Sequence, residues 1–139
     1  MAVKILVFFL FATVAFAQNE EIKEVVLQDQ TREFLSNELI GSSISIPRPF
    51  WDELVSCHVV FPNGIVYEAF PEDRIPPGPI SFMQAVQPFV GCSIGFLNAD
   101  VSFSGTYELM SLLRHSADNS LSLTRQRFHV TLIPHDPSK

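Results

Sequence analysis

The 139-residue chain has little of what usually announces an enzyme or a nucleic-acid-binding protein. Nine basic residues stand against fifteen acidic ones, a formal charge of −6, which removes any general attraction for nucleic acid or an anionic membrane. Four histidines, His58, His115, His129 and His135, are scattered, with no His-x-x-x-His pair and no cysteine–histidine spacing of a zinc site. There is no Gly-x-Ser-x-Gly, no phosphate-cradling glycine loop and no dinucleotide fingerprint. The acidic pairs Asp52-Glu53 and Glu72-Asp73 are poor general acids or calcium ligands, because adjacent strand residues face opposite ways and loop carboxylates are mostly solvated. The expectation is a non-enzymatic protein with no cofactor and no metal. Asn19, Asn37, Asn63, Asn98 and Asn119 all lack a hydroxyl two residues on, so N-glycosylation is not expected.

Long apolar runs are also missing after the first residues. Lys4 gives a positive start, Ile5 to Phe16 is apolar, and Ala15-Phe16-Ala17 supplies the small residues of a cleavage site. This pattern predicts a secretory signal peptide over residues 1–17, cut before Gln18, in a secreted, extracellular protein. Cleavage leaves 139 − 17 = 122 residues, enough for one domain, and loss of Lys4 takes the charge from −6 to −7. No later segment is apolar enough to span a membrane. The two cysteines, Cys57 and Cys92, are most simply one disulfide in an oxidising compartment. It closes a loop of roughly 35 residues, worth about 3–4 kcal/mol in the chain-entropy model.

What remains reads as β-structure. Residues 18–38 are polar and charged, with Ile22, Val25, Val26 and Leu27 as scattered apolar positions, and are expected to form a flexible or short helical leader. Ile44 and Ile46 alternate with serines in Ser42 to Ile46, a half-buried strand broken by Pro47 and Pro49. Leu54 to Phe61 puts Val55, Cys57, Val59 and Phe61 on one face, with Ser56, His58 and Val60 on the other. Pro62-Asn63-Gly64 is a turn, and Ile65 to Phe70 the returning strand. Pro76-Pro77-Gly78-Pro79 lacks the amide donors of a helix or central strand, and Ile80 to Val90 has room for a short edge strand. Cys92 to Leu97 alternates again. Gly105 to His115 carries Tyr107, Leu109, Ser111 and Leu113 on its inner face, and Ser116 to Ser122 is a polar loop. In Arg125 to Ile133 the residues Gln126, Phe128, Val130 and Leu132 alternate with Arg125, Arg127, His129 and Thr131. Short strands, frequent turns and almost no helical periodicity predict an all-β, antiparallel two-sheet sandwich.

The stretches "LVSCHVVFPNGIVYEAF" and "CSIGFLNADVSFSGTYELMS" resemble an immunoglobulin superfamily domain over residues 39–133, with a C-terminal tail at 134–139. Ile94 and Phe96 match the apolar pair of strand E. Gly105 and Tyr107 match the corner before strand F, which implies that the tyrosine hydroxyl ties back to the backbone. The implied F–G hairpin runs from Thr106 to Ile133. Three positions depart from that family. Phe103 replaces the corner aspartate, so no ion pair to Arg74 is expected. Leu109 replaces the strand F cysteine. No tryptophan lies on the implied strand C, where Tyr67 or Val66 must fill the volume, and the lone Trp51 precedes Cys57. The resemblance therefore implies a relocated crosslink, with Cys57 on strand B and Cys92 at the start of strand E, neighbours in one sheet. Cys92-Ser93-Ile94 is similar to the arrangement in some secreted arthropod immunoglobulin-like domains.

The resemblance and the strand parity together single out one surface. With Phe128, Val130 and Leu132 turned inward, Arg125, Arg127 and His129 face outward beside Glu108, Met110, Leu112 and Arg114 of the preceding strand. Apolar side chains rimmed by arginines fit a binding patch for an extracellular protein or glycan. Two alternatives stand beside it. One is a carrier whose phenylalanine-lined interior holds a small apolar ligand, which needs an internal cavity. The other is a protease-inhibitor-like protein presenting the proline-rich loop 75–80, which must then be exposed and anchored.

Overall fold

The computed structural model describes residues 21–39, 41–83 and 91–134. Residues 1–17, nearly all of the 134–139 tail, and the end of the Ile80–Val90 segment lie outside the described residues. In chain order the strands are β1 (Ile22–Val26), β2 (Gln30–Leu35), β3 (Ser42–Ile46), β4 (Glu53–Val60), β5 (Val66–Phe70), β6 (Ile80–Phe82), β7 (Cys92–Phe96), β8 (Gly105–Arg114) and β9 (Leu121–Ile133). They form two stacked sheets. The larger runs β1-β9-β8-β4-β5, with β2 also on β9; the smaller runs β3-β7-β6.

The period-two patterns become the core. On β9, Gln126, Phe128, Val130 and Leu132 are buried and Arg127, His129, Thr131 and Ile133 exposed. On β8, Tyr107, Leu109, Ser111 and Leu113 are buried. The smaller sheet meets them with Ile44, Ile46, Ile94 and Phe96, and β4 adds Cys57 and Val59. Removing each such large apolar side chain from water stabilises by about 1.5–3 kcal/mol. A chain of rings runs from one sheet to the other: Phe96 of β7 meets Tyr107 of β8 edge-on across the core at 5.2 Å, and on the larger sheet's side Tyr107 meets Phe61 at 5.5 Å and Phe61 meets Tyr67 at 4.8 Å.

Local chemistry sets the turns. Gly64 takes φ 86° between β4 and β5, where the Ile65 amide donates to Asn63 Oδ1. Gly105 has φ 151°, and a Cβ there would lie 2.7 Å from the Pro62 ring, so only glycine admits this approach. Two residues on, the Tyr107 hydroxyl donates to the Phe103 carbonyl at 2.7 Å, closing the corner implied by Gly-x-Tyr. A short 3-10 turn at Val101–Phe103, capped by the Asp100 carboxylate on the Ser102 amide, presents that carbonyl.

The crosslink joins Cys57 to Cys92, with Cα atoms 5.2 Å apart, but it does not lie within one sheet. Cys57 is on β4 of the larger sheet and Cys92 on β7 of the smaller, so the bond staples the sandwich across its core. Taking Cys57 to mark strand B overlooked β3, which carries no cysteine and holds that place itself, paired with β7 from Ser42↔Phe96 to Ile46↔Cys92. Cys57 thus stands in the strand C position. Tyr67 and Val66, expected to fill that strand's volume, lie on β5, where Val66 is exposed.

Residues 18–38 also differ from expectation. Where described they form strands and no helix: β1 and β2 run parallel to β9, from Ile22↔Leu121 to Val26↔Arg125 and from Gln30↔Phe128 to Leu35↔Ile133. The sandwich therefore begins at β1 and not at residue 39. Strand β9 would otherwise leave a long edge of unpaired amides and carbonyls, and the first strands satisfy it. Similarly, the polar loop after β8 ends earlier than expected, since Leu121 and Ser122 already pair in β9.

Candidate functional site

The seven residues singled out from sequence all belong to β8 and β9 and share the outer face of the larger sheet. The register shows what surrounds them. Across the strands, one row reads Val66–Val60–Glu108–Arg127 and the next Glu68–His58–Met110–Arg125–Val26. Beyond them lie Ser56–Leu112–Leu123–Glu24 and Glu53–Arg114–Leu121–Ile22. Directly opposed residues project from the same side of a sheet. Apart from Val26 at the far end of the second row, the apolar members form a diagonal from Val66 and Val60, through Met110, to Leu112 and Leu123, and on to Leu121 and Ile22. Of these, strand parity places Met110 and Leu112 on the outer patch and Val60 on the outer side of its own strand; their joining into one stripe depends on register.

The expected arginine rim is present but occupied. Arg125 bridges Glu108 at 3.1 Å and Glu24 at 3.0 Å, and the Glu108 hydrogen bond, followed by Glu24, raises its pKa above the ordinary guanidinium value. Arg127 lies 3.6 Å from Asp29, while His129 contacts the other Asp29 oxygen at 3.0 Å and Thr106 Oγ1 at 2.9 Å. The His129 hydrogen bond holds the Asp29 carboxyl below its usual range. Arg114 donates to the Asn119 carbonyl. His129 is therefore paired rather than merely solvated. The acidic partners Glu24 and Asp29 come from the segment expected to be a leader, so a patch read as basic is a charge-paired frame around an apolar stripe.

A second cluster sits at one end of the sandwich, where the β3–β4 and β8–β9 connections meet. Asp52, expected to be solvated, is 5% exposed. Its Oδ2 contacts His115 Nδ1 at 2.9 Å, and its Oδ1 accepts the Ser116 amide at 3.1 Å. That backbone hydrogen bond, then His115, holds the carboxyl below its usual range. The other ring nitrogen, His115 Nε2, lies 2.7 Å from Ser122 Oγ. His115 and Ser122 line an open cleft of about 740 Å³ with Lys23, Asn119 and Leu121. Immediately before Asp52 in the chain, Phe50 and Trp51, both more than half exposed, stack edge-to-face at 4.9 Å. The turn presenting them is braced by Arg48, whose guanidinium donates to the Asp52 carbonyl at 2.7 Å. No sequence spacing announces this cluster, since its members are 63 and 7 residues apart.

Elsewhere, Arg74 pairs with Glu72 at 2.7 Å and Glu68 at 3.6 Å. Loop residues Pro76, Pro77 and Gly78 are exposed, flanked by Ile75 packed against the core and Ile80 buried in it. No helix among the described residues is long and apolar enough to cross a membrane.

No family model and no curated relative matches the sequence. Solved structures do match the fold. The Ig1 domain of mouse SynCAM 2 is 13% identical with a TM-score of 0.44, over 77% of this chain and 94% of that one. The Ig-like domain of human leucine-rich repeat-containing protein 4 is 18% identical with a TM-score of 0.43, over 78% and 85%. A structure from work on the cell-adhesive interactions of VGSC beta subunits is 10% identical with a TM-score of 0.51, over 76% and 92%. With two stacked sheets, a tied tyrosine corner and a crosslink through the core, the chain has the fold of a divergent immunoglobulin-like domain.

Proposed function

We propose that the protein is secreted and binds an extracellular protein or glycan noncovalently, through the outer face of β4, β8 and β9 and the adjoining loops. The observation that supports this reading is the diagonal apolar stripe from Val66 to Ile22, flanked by charges already paired among themselves. Covering such a stripe releases water without stripping an unpaired charge, which keeps the desolvation cost low. The exposed Phe50 and Trp51 are loop residues of the kind that anchor interfaces. Secretion rests on the leader pattern of residues 1–17 and agrees with a disulfide, which persists in oxidising compartments.

The test is capture from the extracellular fluid of the source with the wild-type protein and with Met110→Asp and Arg127→Glu, each checked for an unchanged melting curve. A partner held by the wild type and lost from Met110→Asp supports the face. A partner retained equally by both variants rejects it. A second reading draws on the exposed 76–78 segment between two anchored isoleucines, the geometry a presented inhibitor loop needs. It predicts inhibition of a protease by the wild type that is lost when Pro77 is replaced by glycine. The carrier reading has less support, because large side chains from both sheets fill the described interior and the cleft is open at the surface rather than enclosed.

A further inference from the structure

We propose that Ser122, His115 and Asp52 form a hydrolytic site at the loop end of the sandwich, acting on a small activated carboxylic ester. This goes beyond the binding reading and does not rest on it, because none of the three belongs to the outer-face stripe.

The geometry is that of a nucleophile, a base and an orienting acid. Asp52 is buried, and its second oxygen is fixed by the Ser116 amide, so the carboxylate is held in one pose. Facing that carboxylate at 2.9 Å, His115 Nδ1 carries the ring proton. Nε2 then presents its lone pair to Ser122 and accepts the hydroxyl proton at 2.7 Å. The three residues come from separate parts of the chain: the connection before β4, the turn after β8 and the start of β9. The imidazole is the partly exposed member, at 35%, while Asp52 is buried behind it. Both His115 and Ser122 line the cleft, whose volume of about 740 Å³ suits a small ligand.

Lys23 completes the arrangement. It lines the same cleft, and its Cα is the register partner of Ser122 across the parallel β1–β9 pair, so both side chains project from one side. An ammonium there faces the charge that develops on the carbonyl oxygen. In the first step Ser122 Oγ bonds to the ester carbonyl carbon as its proton passes to His115 Nε2. The carbon–alkoxide bond then breaks, and the alkoxide leaves with that proton. In the second step water attacks the acyl-serine, gives its proton to Nε2, and releases the carboxylic acid as Ser122 recovers its hydrogen. No other co-reactant is needed. Ser122 is only 6% exposed, so the acyl group must be short.

The test uses the full chain with a fluorophosphonate probe, which reacts when a serine oxygen attacks phosphorus and fluoride departs. Peptide mass spectrometry is expected to place one adduct, on Ser122. Hydrolysis of p-nitrophenyl acetate is expected to fall about 100-fold or more in Ser122→Ala and in Asp52→Asn. The asparagine keeps an oxygen for the Ser116 amide but turns an N–H toward His115 Nδ1, which inverts the tautomer. Lys23→Met is expected to lower the rate about tenfold or more. An unlabelled Ser122 in folded wild-type protein overturns the proposal, as does hydrolysis by folded Ser122→Ala at the wild-type rate. Either result reduces the cluster to a clamp between two turns. Labelling of the wild type decides the matter even where a variant fails to fold.

Discussion

Tyr107 shows how much one side chain does here. It is 1% exposed, meets rings from both sheets, and spends its hydroxyl on the Phe103 carbonyl. Tyr107→Phe keeps the ring and orphans that carbonyl, so a loss of about 1 kcal/mol is expected, read from denaturant midpoints at unchanged slope. Leu109, in the position of the missing family cysteine, is fully buried beneath the sheet interface. Leu109→Ala should cost about 2–5 kcal/mol in the same measurement, since removing the side chain leaves a cavity. Both residues were legible from the Gly-x-Tyr-x-Leu pattern, because strand parity alone decides which side chains point inward. Asp52 was not legible: a carboxylate beside Trp51 in a proline-flanked turn reads as solvated until a histidine 63 positions away meets it.

At the scale of elements, the contrast is between β8–β9 and β1–β2. The β8–β9 hairpin joins strands close in sequence with strong alternation, so its pairing and inner face could be read directly. Strands β1 and β2 are short, show no clean apolar alternation, and pair with a strand about 100 positions later, so no local signal marks them. The attachment of β1 rests on backbone hydrogen bonds and on ion pairs of Glu24 and the following Asp29 that are partly exposed and so individually weak, whereas β2 also packs Phe34 on the core, 5.8 Å from the Phe96 ring. Amides of β1 are therefore expected to exchange hydrogen faster than those of β8, and to exchange faster still at high salt. The disulfide is the other link between elements. Its pairing followed from counting cysteines, whereas its passage from one sheet to the other depended on β3, a strand with no sulfur to reveal its place. Replacing Cys57 and Cys92 together by alanine should lower stability by about 3–4 kcal/mol, measured by denaturant unfolding against the oxidised wild type.

For the molecule as a whole, pH sets two limits to stability. The carboxyls of Asp29, Asp52, Asp100 and Asp118 are all held below the ordinary carboxylate range, chiefly by hydrogen bonds from His129, Ser116, Ser102 and Ser120 respectively. A lowered folded-state pKa contributes stability that is present above the unfolded value and lost as pH falls through the folded one. Melting temperature should therefore hold down to about pH 5 and drop below about pH 4. Tyr107 acts at the other limit. Burial raises its pKa from 10.0 to about 12, so its contribution is complete below the unfolded value and is lost as pH climbs through that interval. A thermal melt series above pH 10 should show this decline, and Tyr107→Phe should flatten it.

The sequence by itself determined the all-β class, the inner faces of β8 and β9, the tyrosine corner and the identity of the disulfide partners. The corner follows from the resemblance of Gly105 and Tyr107 to an immunoglobulin-type strand; the other features depend on period-two alternation, turn chemistry and cysteine count, all properties of neighbouring residues or of composition. Tertiary structure alone decided that the crosslink spans two sheets and that the first strands close the edge of β9. It also decided that the arginines of the outer face are already paired, and that Asp52, His115 and Ser122 meet. Each of these is a contact between segments far apart in the chain, fixed by sheet register and packing, and local pattern carries no record of which distant strand will lie alongside.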